Sequence, residues 1–437
     1  MSIQENFPEM ENNEEESADL LSSAQETGDD LLPVSQENVE VQEEAVHTRP
    51  AKRRHILRWC LGVPAGLILC FLIAFFGMLY IPLFQDTRDW YVMMTYHTSN
   101  SWLATAFLPR STVEEILNAN KVVAPEGSTD PNLVKPVGPV PKTSSSSAEP
   151  SASNPSESKT SGSDISVFPP SSADPVPPPT QPEPVQLPAF GTSDIYPGTV
   201  VYEETGVQIL KIRLKNTTAR LIQVADPSRV FLGVTNQLGV RGQRLVDMCS
   251  SNDALCGINA GGFDDPGGVG HGGTPIGIVV QNSQIVYTDG AGTHDVVGFN
   301  QDNVLVLGNF TNEQILEAGI RDAMSWSPFL IVNGEKAQTY GLAEGQNPRS
   351  AIGQRTDGLV MMLVADGRQA GMPGADLRLM MDILYEYGAY NAANLDGGTS
   401  STMVLNGHVI NSICNPAIAK YGRHLPDGWM VRKQASE

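Results

Sequence analysis

The pattern of apolar and polar positions divides the 437-residue chain into stretches of different character. From Trp59 to Phe84 there are 26 residues without a formal charge. At 1.5 Å per residue, such a run is long enough to cross a hydrocarbon core of ~30 Å. It predicts one membrane-spanning helix over about 61–83, with Pro64 and Pro82 near its ends, where a missing backbone N–H matters least. A capping-box pattern follows at Thr112, with Glu115 three residues on, and Val113, Ile116 and Leu117 share one helical face. Between Pro125 and Pro188, 16 prolines and 14 serines predict an extended, solvated spacer that holds whatever follows away from the lipid.

Beyond residue 190 the apolar runs become short and are separated by turn residues. They predict strands over 199–202, 207–214, 220–224, 230–234 and 255–259, with a helix over 243–252. Asn282-Ser283 joins two more runs, 276–280 and 284–287, as a hairpin. Further strands are expected over 304–307, 329–332, 359–364, 402–405 and 409–410, and further helices over 312–320 and 375–387. The expected fold class is α+β: a mixed β-sheet head domain with a few helices, on a single transmembrane helix and a disordered Pro/Ser-rich stalk.

Charge orients this arrangement. Of the formal −21, residues 1–44 contribute 14 Asp or Glu and no Lys or Arg. Arg49, Lys52, Arg53, Arg54 and Arg58 then precede the apolar run, so the positive-inside bias puts the amino terminus in the cytoplasm and the head outside, held in the cell membrane. The expected organisation is a disordered acidic cytoplasmic tail (1–48), a transmembrane signal anchor (56–84), an extracellular juxtamembrane segment (86–123), a linker (124–189) and the head (190–437). An acidic chain without a basic face is no general nucleic-acid binder. Five cysteines without a CxxC pair exclude a disulfide scaffold or zinc ribbon; Cys249 and Cys256 flank an expected helix-to-strand turn, where a disulfide and two free buried thiols are equal alternatives.

Candidate chemistry is concentrated in glycine-bearing clusters at strand ends. These are Asn259-Ala260-Gly261-Gly262-Phe263, Val364-Ala365-Asp366-Gly367-Arg368 and Asn394-Leu395-Asp396-Gly397-Gly398-Thr399-Ser400-Ser401, with Asn347-Pro348-Arg349-Ser350 beside them. Glycines there let backbone N–H groups approach an anion while a carboxylate stays near the chemistry. His271 lies in another glycine-rich loop. There is no HExxH, GxSxG or Walker motif. The sequence asks for no cofactor or metal site and leaves room for a divalent cation.

The ordered set NAGGF, NPRSAIGQ, LVADGR and NLDGGTSSTMVLNGHVIN, over about 250–415, resembles the phosphodiester glycosidase family. Gly262 stands where that family more often has an aromatic residue. The anchor and stalk are similar to those of bacterial relatives described as exopolysaccharide-related. The resemblance implies a cell-surface hydrolase that cleaves the glycosidic bond of sugar-1-phosphodiesters, with a sugar-phosphate glycan as its partner. It implies Asp396 and Asp366 as catalytic carboxylates, one acting at the reacting carbon and the other orienting its partner. It implies Arg349 and Arg368 as phosphate-binding groups, with Asn259, Gly261, Gly397, Gly398, Thr399 and Ser400 also at the substrate. A non-catalytic carbohydrate-binding or scaffold module is the alternative, which has less use for paired carboxylates beside an anion site.

Overall fold

The inner strands of the largest sheet are buried on both faces, which explains why Val360–Ala365 reads as a continuous apolar run, while the edge strand Gly198–Glu204 is largely exposed. A computed structural model describes residues 52–96, 101–136, 187–265 and 270–434; the acidic tail 1–48 lies outside them, as does most of the expected linker. The eight strands run in the order Glu335–Lys336, Phe329–Val332, Asn391–Asn394, Arg349–Gln354, Val360–Ala365, Thr218–Val224, Val207–Arg213 and Gly198–Glu204. Every pairing is antiparallel. Val207, Ile209, Ile222, Val360, Met362 and Val364 face one core, while Leu210, Ile212, Leu221, Met361 and Leu363 face another, under the helix Leu377–Glu386.

Two five-stranded sheets complete the first core. One runs His408–Val409, Met403–Leu405, Ala254–Asn259, Asp427–Arg432, Val230–Val234. The other runs Gln284–Thr288, Ile278–Gln281, Ile320–Ser325, His294–Asn300, Leu305–Phe310. Trp429 is fully buried and meets Phe299 edge-on at 5.3 Å between ring centres, so the two sheets are joined by an aromatic pair. The hairpin at Asn282-Ser283 forms with both residues at positive φ, 52° and 62°. The central strands that the sequence reading omits include His294–Asn300, Ile320–Ser325, Arg349–Gln354 and Asp427–Arg432, which are buried almost throughout and lack the alternation of a half-exposed strand.

The N-terminal part departs further from expectation. Two units divide the chain, Met1–Leu69 and Cys70–Glu437. Helix α1 (Lys52–Tyr80) contains one stretch, Val63–Tyr80, long and apolar enough to cross a membrane. After it come α2 (Gln85–Tyr96), α3 (Trp102–Phe107) and α4 (Arg110–Ala119); α4 starts after Pro109, so Thr112 lies inside the helix and not at its cap. Asn120 then grips the head: its Oδ1 accepts from Leu342 N at 2.7 Å and its carbonyl from Glu344 N at 2.8 Å. Val122–Val123 pairs with Gln338–Thr339, Thr129 N donates to Leu307 O, Val134 is buried, and Lys135 N donates to Thr356 O.

Residues 124–136, read from sequence as the start of the linker, are therefore part of the head. The Pro/Ser-rich stretch leaves the head at residue 136, against Gly358, and returns to it at Leu187, against Gly206. It begins and ends on one body and does not bridge from α1 to the head. Closure entropy changes by only ~0.6 kcal/mol when a loop is halved or doubled. Halving the segment 137–186 should thus leave the melting temperature within about two degrees. Thr129→Ala, which strips a buried hydrogen bond to Leu307 N, should cost about 1–2 kcal/mol. Thermal melts of both variants check this, and the reverse order of sensitivity would contradict it.

Candidate active site

Four strand ends meet between the eight-stranded sheet and the five-stranded sheet that holds Ala254–Asn259. Asn259 ends its strand, Arg349 begins one, Ala365 leads to Asp366, and Asn394 leads to Asp396. Register places Arg349 opposite Ala365, and Ala351 opposite Asn394, so three of the sequence clusters emerge side by side. They line a cavity of about 590 Å³ together with Tyr96, Val122, Phe263, Asp265, Trp326, Glu344 and Arg423.

Asp396 is the carboxylate at its centre. The backbone holds it from both sides: its N–H donates to Ala260 O at 3.0 Å and its carbonyl accepts from Asn259 Nδ2 at 2.6 Å. Gly397 N–H reaches its Oδ1 at 2.9 Å. Burial pushes the carboxyl up to about 6, while the Ser400 hydroxyl, the Gly397 N–H and the Arg423 and Arg368 charges oppose the rise. A group so placed changes charge near neutral pH.

The three cavity arginines are held differently. Arg423 bonds Asp265 at 2.7 Å and lies over the Phe263 ring. Arg349 is buried and donates through Nη2 to the carbonyls of Glu344 and Gly345, with the Glu344 carboxylate 3.8 Å from Nη1. Arg368 has no carboxylate within ion-pair distance among the described residues; its Nε and Nη2 share the neutral Asn347 Oδ1 at 3.1 and 2.8 Å. Its backbone is left-handed, at φ 54°. Holding a non-glycine residue there costs on the order of 1 kcal/mol. Arg368 is the cavity cation best placed to meet an external anion.

Other expected site residues serve the frame. Asp366 is buried behind the cavity, where its carboxylate takes Arg220 Nη1 at 3.0 Å and Ser412 N at 2.9 Å. Asn259 is fully buried, with Oδ1 accepting from Ser350 Oγ and Thr402 N. Gly261 N–H donates to Asp427. The Gly397 and Gly398 N–H groups, expected to face an anion, are engaged by Asp396 and by Pro348 O. Gly397, Gly398, Thr399 and Ser400 do line the cavity, and Thr399 Oγ1 lies 3.6 Å from Cys414 Sγ. His271 is not among the lining residues. Cys249 and Cys256 are separate buried thiols.

The structure also adds residues that the motifs do not show. Asp427 is buried beside Gly261; burial and the Asp396 charge push its carboxyl up to about 7, against the Gly261 N–H. Trp326 supplies the aromatic wall. A Cβ at Gly262 would run into its ring, so the glycine and the tryptophan form one complementary pair.

With this geometry in hand, residues 252–432 match the family described as phosphodiester glycosidase. The likeness is to a phosphodiester glycosidase domain. Among curated relatives, the N-acetylglucosamine-1-phosphodiester alpha-N-acetylglucosaminidases of Mus musculus and Homo sapiens are 30% and 31% identical over 150 residues, 30% of this chain. The SPbeta prophage-derived uncharacterized protein YomE of Bacillus subtilis is 26% identical over 199 residues, 43% of this chain. Each alignment spans 29% of the relative's own length. A solved zebrafish N-acetylglucosamine-1-phosphodiester alpha-N-acetylglucosaminidase catalytic domain, auto-inhibited by its pro-peptide, aligns at TM-score 0.44 and 20% identity, covering 57% of this chain and 88% of its own. A hypothetical protein from Synechocystis aligns at 0.40 and 15% identity, covering 55% of this chain and 64% of its own.

Within the matched residues, substitution of Arg368 tests binding apart from folding. Arg368→Gly removes the guanidinium and relaxes the left-handed backbone. Its melting temperature should stay within a few degrees of the parent, while affinity for a sugar phosphate, measured by calorimetry, should fall at least tenfold. Retained affinity with a lowered melting temperature would make Arg368 a structural residue.

Proposed function

We propose that the head hydrolyses sugar-1-phosphodiesters at the glycosidic carbon–oxygen bond. The observation that carries this reading is the pairing, in one cavity, of a carboxylate raised to about 6 with a guanidinium that has no carboxylate partner among the described residues. Arg368 takes the phosphate, since a guanidinium fork fits two of its oxygens. Asp396 works at the anomeric carbon, where positive charge develops. Water adds to that carbon and its proton passes to Asp396; the bonding pair of the broken C–O bond leaves on the phosphate. A phosphate monoester is a good leaving group, so the arginine charge replaces much of the need for a general acid.

Asp366 positions rather than reacts: it clamps Arg220 and Ser412 behind the turn that carries Arg368. Arg349 orders the Glu344 wall through its carbonyl bonds. A module that only binds has little use for a buried carboxylate poised to titrate near neutral pH, which favours turnover over scaffolding.

The carboxylate form of Asp396 is the working one, so kcat/KM should rise with pH through about 6 and fall away below it. Asp396→Asn should lower kcat on a nitrophenyl-phosphoryl sugar by roughly 10²-fold or more while the substrate still binds. Release of free sugar and calorimetric binding check both halves. An undiminished rate sinks the assignment.

The reading includes a location. Arg49, Lys52, Arg53, Arg54 and Arg58, which precede the apolar stretch Val63–Tyr80, and the length of that stretch support a single-pass anchor with the head outside the cell membrane. External protease on intact cells should then digest the head and spare an epitope on the acidic tail; the opposite pattern contradicts this topology.

A further inference from the structure

We propose, resting on the hydrolase reading above, that the phosphodiester substrate is itself anchored in the same membrane: its phosphate is esterified to a long-chain lipid alcohol. The cavity is walled on one side by chain that directly follows the membrane-length apolar stretch. That stretch ends at Tyr80, and α2 is twelve residues long, which is about 18 Å of helix. Its last residue, Tyr96, lines the cavity, as does Val122 after α4.

Side-chain contacts tie the end of the apolar helix to the segment that follows it. Phe75 meets Tyr91 and Phe107 edge-on at 5.7 and 5.3 Å. Tyr80 Oη donates to Phe107 O at 2.5 Å, Tyr91 Oη to Leu103 O at 3.0 Å, and Leu79 is buried among these helices. Asn120 then fastens α4 to Leu342 and Glu344, the wall on which Arg349 rests. Because the Pro/Ser-rich stretch begins and ends on the head, it does not lift the cavity away from the lipid.

A row of exposed aromatics follows the apolar helix along the chain: Trp90 at 45%, Tyr96 at 39% and Trp102 at 60% exposure, after Leu83 and Phe84. Tryptophan and tyrosine in such a row are suited to the headgroup level of a bilayer. Tyr96 belongs both to that row and to the cavity wall. The cavity interior is lined by arginines, carboxylates and asparagines, so it takes the sugar and phosphate and offers an alkyl chain little. The lipid therefore stays in the bilayer, and the phosphate at its surface is the part that reaches Arg368.

The test uses full-length protein in phospholipid vesicles and one sugar 1-phosphate in two esters, a long-chain alcohol and methanol. The long-chain ester in the same vesicles should be hydrolysed at least tenfold faster than the methyl ester at equal bulk concentration, and faster than the same ester held in separate vesicles. Replacing Trp90 and Trp102 together by alanine should lower the long-chain rate several-fold and leave the methyl rate unchanged. Equal rates for the two esters, or equal rates from separate vesicles, overturn the lipid-anchored substrate and leave the hydrolase reading intact. Hydrolysis of neither ester overturns both.

Discussion

One buried amide holds the site together. Asn259 bonds three partners, Ser350 Oγ, Thr402 N and the Asp396 carbonyl, which lie in the eight-stranded sheet, just before the neighbouring strand Met403–Leu405, and in the turn after Asn391–Asn394. A fully buried amide is costly unless its groups are paired, so each of these bonds constrains the others. Asp396 is presented from this junction, with its own N–H fixed on Ala260. The glycines around it serve close approach: a side chain at Gly397 would press on the Pro348 carbonyl, and one at Gly398 would need a left-handed backbone and meet Arg368.

Charge in the cavity is distributed so that most of it is already spent. Arg423 answers Asp265, and Arg349 answers Glu344 and two carbonyls. What remains is Arg368 on a neutral amide and Asp396 under a burial penalty. A cavity of this kind attracts a phosphate without collapsing its own acid onto its own base. Asp427 adds a second raised carboxyl behind Gly261, and its proton relieves the repulsion that two buried carboxylates would otherwise suffer.

Much of this was legible because glycines at strand ends leave a local signature. Residues of the Asn259, Asp366 and Asp396 clusters do converge, although Asp366 and Asn259 turn out to brace the wall rather than line it. The hairpin at Asn282-Ser283 was readable from turn chemistry alone. Asp427 and Arg423 were not, since no motif marks them and Asp427–Arg432 is buried on both faces. Trp326 was hidden for another reason: its partner is the absence of a side chain at Gly262. The attachment of 120–136 to the head rests on scattered long-range bonds of Asn120, Thr129 and Lys135 and on the two-residue strand Val122–Val123, which leave no periodicity to read.

The central claim is that a carboxylate and a guanidinium divide the substrate at the carbon–oxygen bond. Turnover in oxygen-18 water, followed by mass spectrometry of both products, locates that bond directly. The account predicts one label in the released sugar and none in the phosphate. Label in the phosphate would show cleavage at phosphorus and contradict it.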